Sequence, residues 1–258
     1  MRQSQLFTKT SKTAPKDETS VNAQLLTKAG FIQKLGAGIY SFLPLGFLVF
    51  KKIENIIREE MNAIGGQELL MPALHPKEIW EETGRWQTAD YLYKLKDRQE
   101  KNFALGATHE EVITDIARKY VSSYKDLPLC VYQIQVKFRD ELRAKSGLLR
   151  AKEFIMKDLY SFHADEEDRK QYYETVKKSY LKIFRRCGLD AIVTEASGGI
   201  FSKEFSHEFQ VTTSAGEDII YFCPTGDFSQ NKEIAERKTG DKCPKCGKPI
   251  EEAKTIEV

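Results

Sequence analysis

Residues 132–141 read Tyr-Gln-Ile-Gln-Val-Lys-Phe-Arg-Asp-Glu, with apolar and polar side chains alternating as far as Arg139. A period of two is typical of a β-strand that buries one face. The pattern therefore predicts a strand whose apolar side chains, from Tyr132 to Phe138, face the core. The polar face ends in Arg139 and Glu141, which lie two residues apart and therefore side by side.

A second strand is expected to return beside the first. Residues 143–147 form a basic, flexible loop with Gly147 at the turn, and residues 148–156 follow with Arg150, Lys152 and Phe154 on one face. Together the strands offer cations for phosphates, a carboxylate for an adenine amino group and a ring for a base. A surface hairpin with cross-strand ion pairs is the open alternative, because such pairs are common and individually weak.

The order Phe-Arg-Asp-Glu at residues 138–141, a basic loop, then Arg150 and Phe154 resembles motif 2 of the class II aminoacyl-tRNA synthetases. The wider stretch 133–163 is similar to the bacterial prolyl-tRNA synthetase family, and the similarity covers nearly the whole chain. The resemblance implies an α+β (α/β) fold, an antiparallel sheet flanked by helices. It also implies that ATP and L-proline form prolyl-adenylate and pyrophosphate, with Mg²⁺ on the phosphates, before the prolyl group passes to tRNA(Pro).

The resemblance also implies roles for the residues of the nucleotide site. Arg139 would bind the α-phosphate and the proline carboxylate, and it is the expected catalytic residue. Glu141 would accept a hydrogen bond from the adenine amino group. Arg150 would reach the outer phosphates, and Phe154 would stack on adenine.

The motif Thr-His-Glu-Glu at residues 108–111 precedes a predicted helix over residues 112–124. From the residues alone, Thr108 would cap this helix and Glu110 would suit its dipole. The resemblance instead implies that both side chains hold the proline amine, since a secondary ammonium needs an anionic and a neutral acceptor. The two roles are compatible, and both stay open. By resemblance, Met156, Tyr160 and Phe209 would line the proline ring.

Residues 47–64 carry apolar side chains at helical spacing, and Gly65 and Gly66 end the predicted helix. A strand over residues 67–71 should follow. An amphipathic core helix accounts for this pattern by itself. The layout also resembles class II motif 1, which implies a homodimer formed through this helix.

Other stretches complete the predicted order of elements. Periodicity predicts helices over residues 22–34 and 164–187, and a short charged helix that ends near residue 238. Strands are expected over residues 103–106, 192–196, 205–213 and 217–222. The aromatic cluster Trp80, Trp86, Tyr91 and Tyr93 is expected to serve packing.

Composition sets the broad class of protein. The 258-residue chain is 41% hydrophobic and 30% charged, which is typical of a soluble globular protein. It has no apolar run long enough for a bilayer and no apolar signal segment near its start, so we expect a cytoplasmic protein with no membrane partner. The net charge of +2 does not indicate nucleic-acid binding, so contact with tRNA would require local basic patches.

Five cysteines in an unsecreted chain predict reduced thiols. Cys243-x-x-Cys246 is half of a zinc ribbon, whereas Cys223 is followed three residues later by Gly226 instead of a second cysteine. Structural zinc sites are almost always closed by four ligands. The pattern therefore favours a degenerate knuckle over bound zinc, with Asp227 as a candidate substitute ligand.

We expect a catalytic domain over residues 1–222 and a short cysteine-containing remnant over residues 223–258. The remnant lies where many bacterial relatives carry an editing insertion that hydrolyses mischarged alanine, and it is too short for such a domain. The family's motif 3 and anticodon-binding domain have no counterpart in the 258 residues, so the expected fold is incomplete at its C-terminus. The alternative function is a catalytically incomplete module: half of a split gene, or a paralogue that binds tRNA or another partner.

Overall fold

The structure is a computed structural model that describes residues 2–15, 18–142, 147–198, 205–214 and 216–258. The chain divides into two compact units, Met1–Tyr173 and Glu174–Val258. The division falls inside a helix. The predicted catalytic domain over residues 1–222 and the remnant over residues 223–258 stay a prediction.

The described residues of the first unit form five complete α-helices, the start of a sixth and eight strands. Its helices are α1 (Val21–Lys28), α2 (Pro44–Ala63), α3 (Lys77–Glu82), α4 (Arg85–Thr88), α5 (Glu110–Tyr120) and the start of α6 (Glu166–Arg186). Its strands are β1 (Ile32–Gly36), β2 (Ile39–Phe42), β3 (Gln67–Glu68), β4 (Leu74–Pro76), β5 (Lys94–Lys96), β6 (Asn102–Leu105), β7 (Leu129–Phe138) and β8 (Glu153–Phe162).

The hairpin of β7 and β8 is the longest pairing of this unit, with ten residues of each strand in antiparallel register from Leu129–Phe162 to Phe138–Glu153. Strand β3 joins β7 in parallel. Strands β4, β6 and β5 form a second antiparallel sheet, and β1 and β2 form a hairpin. The predicted antiparallel α+β architecture is therefore confirmed.

The predicted second strand of the hairpin begins later than the sequence suggested. Residues 148–152 precede β8, and a 3-10 turn occupies Gly147–Leu149. Gly147 has a φ of 63°, and a Cβ added there would lie 2.1 Å from Asn22 Oδ1. Because this turn packs closely on α1, the chain becomes extended only at Glu153, and Arg150 lies outside the strand.

The burial of β7 differs from the prediction. Gln133 and Lys137, on the predicted polar face, are fully buried, whereas Ile134 and Val136 are only half-buried. The cause is the backbone segment around Met71, which crosses this face. Met71 N donates to Gln133 Oε1 at 3.1 Å, and Gln135 donates to the Met71 carbonyl at 2.8 Å. The side-chain amides of Gln133 and Gln135 thus bond the Met71 backbone as a neighbouring strand would, because buried backbone groups require hydrogen-bond partners.

Two predicted helices have different limits in the structure. Helix α1 ends at Lys28, because Gly30 has a left-handed φ of 71° and the β1–β2 hairpin follows. The predicted helix over residues 22–34 is therefore wrong after Lys28. Helix α2 begins at Pro44, where the missing N–H of proline costs nothing. The aromatic cluster is confirmed as packing, since Trp80 is fully buried and both Trp86 and Tyr91 pack against its core.

The second unit contains the rest of α6 and a closed barrel of five strands. These are β9 (Ile192–Ala196), β10 (Ser206–Thr212), β11 (Asp218–Phe222), β12 (Ser229–Asn231) and β13 (Glu251–Glu257). Strand β13 pairs with both β10 and β11, which places the predicted C-terminal remnant inside this unit.

The predicted charged helix ending near residue 238 is wrong. Strand β12 and turns occupy this stretch. Side-chain oxygens bond the local backbone there: Glu233 N donates to Asn231 Oδ1 at 3.3 Å, and Glu236 N donates to Gln230 Oε1 at 3.2 Å. Such bonds compete with the helical pattern, because they satisfy the same backbone donors.

Candidate active site

The predicted nucleotide hairpin carries its arginine and phenylalanine in direct contact. The guanidinium carbon of Arg139 lies 5.3 Å from the centroid of the Phe154 ring. Arg139 N donates to the Lys152 carbonyl at 2.9 Å, so the residue after β7 continues the pairing of the hairpin. A stacked guanidinium keeps its hydrogen-bond donors directed outward in the ring plane, which suits a phosphate or a carboxylate.

The end of β7 is also bonded to the loop that precedes α5. Phe138 N donates to the Gly106 carbonyl at 3.0 Å. Arg139 Nε donates to the Ala107 carbonyl at 3.4 Å. These contacts bring Arg139, and with it Phe154, next to the predicted amine-binding motif in the first unit.

Thr108 and Glu110 are partners in the structure. The Thr108 hydroxyl donates to the Glu110 carboxylate. Thr108 is buried, while the Glu110 side chain is 42% exposed and its carboxylate lies 3.5 Å from Arg85 Nη1. The predicted capping role of Thr108 is wrong, because α5 begins at Glu110 and His109 takes the N-cap position without a side-chain bond. The first-turn position of Glu110 is confirmed.

Tyr160 connects this loop to β8. Its hydroxyl accepts from His109 N at 3.2 Å and donates to Asp158 Oδ2 at 2.7 Å. Burial raises the pKa of Tyr160 above its ordinary value, and the nearby carboxylates of Glu110 and Asp158 act in the same direction. The hydroxyl therefore stays protonated and serves as a fixed donor. Met156 is half-buried on the same strand, opposite Gln135.

Lys137 is a residue whose importance the sequence did not reveal. It is fully buried, and its Nζ lies 2.5 Å from His109 Nδ1 and 3.0 Å from the Asp158 carboxylate. Gln133 Nε2 also donates to Asp158 at 2.9 Å. Burial lowers the pKa of Lys137, and the Asp158 carboxylate opposes this effect. The sequence contains one sign of this role: a lysine well inside a predicted strand, with an apolar residue on each side of it in the chain.

Two neutral histidines complete this network. His109 accepts from Lys137 at Nδ1, so its Nε2–H donates to the Pro72 carbonyl, at 3.1 Å. His75 contacts the same carbonyl at 2.9 Å, and the two rings meet edge to face with centroids 4.6 Å apart. Burial lowers the pKa of both histidines to about 4. A Cβ at Gly106 would lie 2.9 Å from both rings, so the loop requires glycine there.

Arg85 is a second residue that sequence reasoning missed. Its Nη1 lies 2.8 Å from the buried carboxylate of Glu111, and its Nη2 donates to the Tyr91 hydroxyl at 2.7 Å. Its guanidinium also lies over the Trp80 ring, 5.1 Å from the centroid. Arg85 thus fixes the first turn of α5, where Glu110 and Glu111 take different roles: the first is partly exposed and the second is buried.

The remaining predicted site residues are placed as follows. Arg150 is exposed, Glu141 is half-buried just after β7, and residues 143–146 of the basic loop lie outside the described residues. Phe209 is in the second unit, where it is buried between Tyr180 and Phe184 with ring centroids 5.3 Å from each. Phe209 therefore serves packing within its own unit, and its role in a proline pocket stays a prediction.

The candidate site is thus a paired-strand hairpin with a stacked arginine, joined to a threonine–glutamate loop at the start of a helix. Residues 93–245, more than half of the chain, match the family described as tRNA synthetase class II core domain (G, H, P, S and T). The chain belongs to this family.

The similar curated proteins are named proline–tRNA ligases. A proline–tRNA ligase of Methylobacillus flagellatus is 50% identical over 237 residues, which are 92% of this chain and 41% of the relative. A proline–tRNA ligase of Dehalococcoides mccartyi (strain 195) is 48% identical over 258 residues, 99% of this chain and 45% of the relative. The chain thus spans less than half the length of these curated relatives.

Solved structures agree with this fold. The Giardia lamblia prolyl-tRNA synthetase in complex with prolyl-adenylate has a TM-score of 0.69 at 23% identity, covering 74% of this chain and 41% of that one. A Cryptosporidium parvum prolyl-tRNA synthetase complexed with L-proline and AMP has a TM-score of 0.66 at 16% identity, covering 74% and 39%. At these identities the similarity establishes the fold. Among the described residues, no helix has both the length and the apolarity of a membrane span.

Proposed function

We propose that this chain is the catalytic part of a proline–tRNA ligase. It would join L-proline to ATP, giving prolyl-adenylate and pyrophosphate, and then pass the prolyl group to tRNA(Pro). The names of the relatives support this specificity. The observation that carries the proposal is Arg139, which contacts both the Phe154 ring and the carbonyl of Ala107 next to Thr108.

The reaction needs no nucleophilic side chain. The proline carboxylate attacks the α-phosphorus of ATP, and the bond from that phosphorus to the pyrophosphate oxygen breaks. Arg139 lies between the two substrate regions, so its guanidinium would bind the α-phosphate and the carboxylate together. Positioning and stabilisation of developing negative charge then account for catalysis.

On the nucleotide side, Phe154 would stack on adenine, Glu141 would accept from the adenine amino group, and Arg150 would reach the outer phosphates. The exposed position of Arg150 fits a residue that meets a long, charged ligand. ATP would enter as its magnesium complex, since Mg²⁺ keeps phosphate and water ligands and takes few from protein. The Asp140 carboxylate is an oxygen donor of the kind that Mg²⁺ prefers.

On the proline side, the Glu110 carboxylate would accept one N–H of the secondary ammonium, and the Thr108 oxygen would accept the other. In the structure these two groups bond each other, and an ammonium that replaces this contact would satisfy both. Tyr160 and Met156 would form the wall beside the ring, with Phe209 as the further candidate. The buried network of Lys137, His109 and Asp158 holds Tyr160 and the loop that carries Thr108 in place.

Assembly and location follow the same proposal. The apolar stripe of α2 is partly exposed, with Phe47 at 48% and Ile53 at 41%, and it would form a homodimer interface. The five cysteines are free thiols in the structure, which suits the reducing cytoplasm.

A second candidate function is a catalytically incomplete module that binds tRNA or a partner protein. The observation that favours it is length, since the chain covers only 41–45% of its curated relatives. Such a module would retain the fold without forming the adenylate.

The first experiment measures adenylate binding and formation separately. Calorimetry would titrate the chain with a non-hydrolysable prolyl-adenylate analogue and with its alanyl counterpart, where we expect proline to be favoured about 10–200-fold. Proline-dependent exchange of labelled pyrophosphate into ATP would be measured with the chain alone and with the remaining segment of the Dehalococcoides relative added.

Variants make this experiment specific. Arg139→Ala should reduce exchange by about 10²–10³-fold or more, as expected for the loss of a charge-stabilising donor. Arg118→Ala is the matched control, because Arg118 forms an exposed ion pair with Glu82 in the same unit. Failure of the chain to bind the prolyl analogue would reject the proposal and favour the incomplete module.

A further inference from the structure

The structure brings together three cysteines that are far apart in the chain. The sulfur atoms of Cys223, Cys243 and Cys246 all lie within 4.8 Å of one another, and Cys223 Sγ is 3.3 Å from Cys246 Sγ. Cys223 and Cys243 are buried, whereas Cys246 is exposed. The sequence offered one Cys-x-x-Cys pair, and only the fold supplies the third sulfur to it.

Two loops of the same design present these sulfurs. Each loop begins with Cys-Pro, and in each the cysteine N–H donates to the carbonyl five residues later, at 2.8 Å: Cys223 to Phe228 and Cys243 to Lys248. Each loop also contains a left-handed glycine, Gly226 with a φ of 79° and Gly247 with a φ of 76°. The first loop therefore resembles the Cys-x-x-Cys loop, although it has only one cysteine and its glycine lies one residue earlier.

Oxygen donors stand beside the sulfurs at the position where the first loop lacks its second cysteine. Thr225 Oγ1 lies 2.9 Å from Cys223 Sγ and 3.3 Å from Cys246 Sγ. The same hydroxyl donates to Asp227 Oδ2 at 2.6 Å. The Asp227 carboxylate is thus one hydrogen bond away from the sulfur cluster.

An apolar layer supports the two loops from inside the second unit. Cys223 and Cys243 form a buried cluster with Tyr221 and Ile250, and the Phe228 side chain packs against this cluster. Neutral thiols would add little to the stability of these loops by proximity alone. A cation that binds them as thiolates would join the loops, in the manner of structural metal sites.

We propose that Cys223, Cys243 and Cys246 bind one Zn²⁺ ion as thiolates, with an oxygen from Asp227 or from a water held by it as the fourth ligand. Tetrahedral zinc with Zn–S bonds of about 2.3 Å separates its sulfurs by about 3.8 Å, a value between the 3.3 Å of the Cys223–Cys246 pair and the 4.8 Å within which all three sulfurs lie. Each thiol releases a proton on binding, so the site carries a net negative charge. The lysines at residues 242, 245 and 248 flank the second loop and offset it.

The role of this ion is structural. It would connect the loop 223–228 to the loop 243–248 and so fix the entry to β13, which pairs with β10 and β11. The inference does not depend on the proposed function, because every residue that it uses lies in the second unit and none is assigned to proline or ATP.

The test is the metal content of the full chain, purified without chelator under reducing conditions and measured by plasma mass spectrometry. We expect about one zinc per chain. Cobalt exchanged into the site should give thiolate-to-cobalt charge-transfer absorption. Cys246→Ser, which changes an exposed side chain and should fold, is expected to lose the zinc and this absorption. Cys187→Ser is the matched control, since Cys187 lies in the same unit outside the cluster, and it should keep both.

The fourth ligand has its own variant. Asp227→Ala should weaken zinc binding by about 10–100-fold in a competition with a chromophoric chelator. Removal of the metal should lower the melting temperature of the wild-type chain and leave that of Cys246→Ser unchanged. Less than about a tenth of an equivalent of zinc after reconstitution, or full zinc retention by Cys246→Ser, would overturn the proposal. A mass two hydrogens lower with no metal bound would assign the cluster to a Cys223–Cys246 disulfide instead.

Discussion

Lys137 and His109 are joined by a contact of 2.5 Å between Nζ and Nδ1, inside a region from which solvent is excluded. The contact links strand β7 to the loop that carries Thr108. Asp158 lies on the other side of the lysine and also accepts from Tyr160. The candidate proline site therefore rests on a buried polar network, in which Lys137, His109, Asp158 and Tyr160 each bond at least one neighbour.

The network makes Lys137 important for stability. Lys137→Met would leave the Asp158 carboxylate without its cation, and loss of one partner of a buried ion pair costs about 3–5 kcal/mol. We expect the free energy of unfolding, measured in urea, to fall by this amount. Lys101→Met, which changes an exposed lysine of the same unit, should cost far less.

A double variant separates charge from packing in this prediction. Lys137→Met combined with Asp158→Asn should recover part of the lost stability, because neither charge is then left unpaired. If Lys137→Met alone is as stable as the wild type, the buried ion pair does not contribute as described.

Glu110 and Glu111 are neighbours with opposite exposure, and this predicts opposite phenotypes. Glu110→Gln should raise the KM for proline by about 10–150-fold with little change in the KM for ATP, since hydrogen bonds to charged groups contribute about 1.5–3 kcal/mol. The measurement is proline-dependent pyrophosphate exchange. Equal effects on both Michaelis constants would indicate that Glu110 acts only on helix α5.

Glu111→Gln is the matched control for that substitution. Glu111 is buried and accepts from both Arg85 and Thr83. Its amide variant should lower the free energy of unfolding through the weakened pair with Arg85, while the ratio of the two Michaelis constants stays as in the wild type.

The buried histidines predict a pH dependence of stability. Burial lowers the pKa of His75 and His109 to about 4 in the folded chain, whereas unfolded histidine takes up its proton near pH 6.5. Between these values the unfolded state binds more protons. The free energy of unfolding should therefore fall as the pH falls from about 6.5 to about 4, by roughly 3 kcal/mol for each histidine.

His75→Gln isolates this contribution. The glutamine amide can still donate toward the Pro72 carbonyl but does not titrate. Urea unfolding at several pH values should show a shallower decline for the variant than for the wild type. Parallel curves for the two proteins would contradict a role for His75 in the acid sensitivity.

The exposed apolar face of α2 predicts self-association. Sedimentation should detect a dimer, and Ile53→Asp should shift it toward the monomer by placing a charge among apolar groups. Lys52→Asp is the control, because Lys52 is an exposed charged residue on the same helix. A wild-type chain that stays monomeric at high micromolar concentration would remove the dimer from the proposal.

The sequence alone determined the elements whose signals are local. Period-two alternation identified β7, helical spacing identified α2 and α6, and the strand predicted over residues 192–196 has the bounds of β9. These patterns depend only on residues that are close together along the chain, so they can be recognised in a single sequence. The order of Arg139, Glu141 and Phe154 on the hairpin belongs to the same kind of local information.

Only the tertiary structure decided where the polar side chains of these elements go. Lys137 is buried because the segment around Met71 crosses β7, and Thr108 bonds Glu110 because α5 begins one residue later than a threonine cap requires. The three sulfurs of the second unit meet because β11 and β13 pair. Burial and hydrogen-bond satisfaction depend on groups that are distant in sequence, and a linear pattern contains no record of those distances.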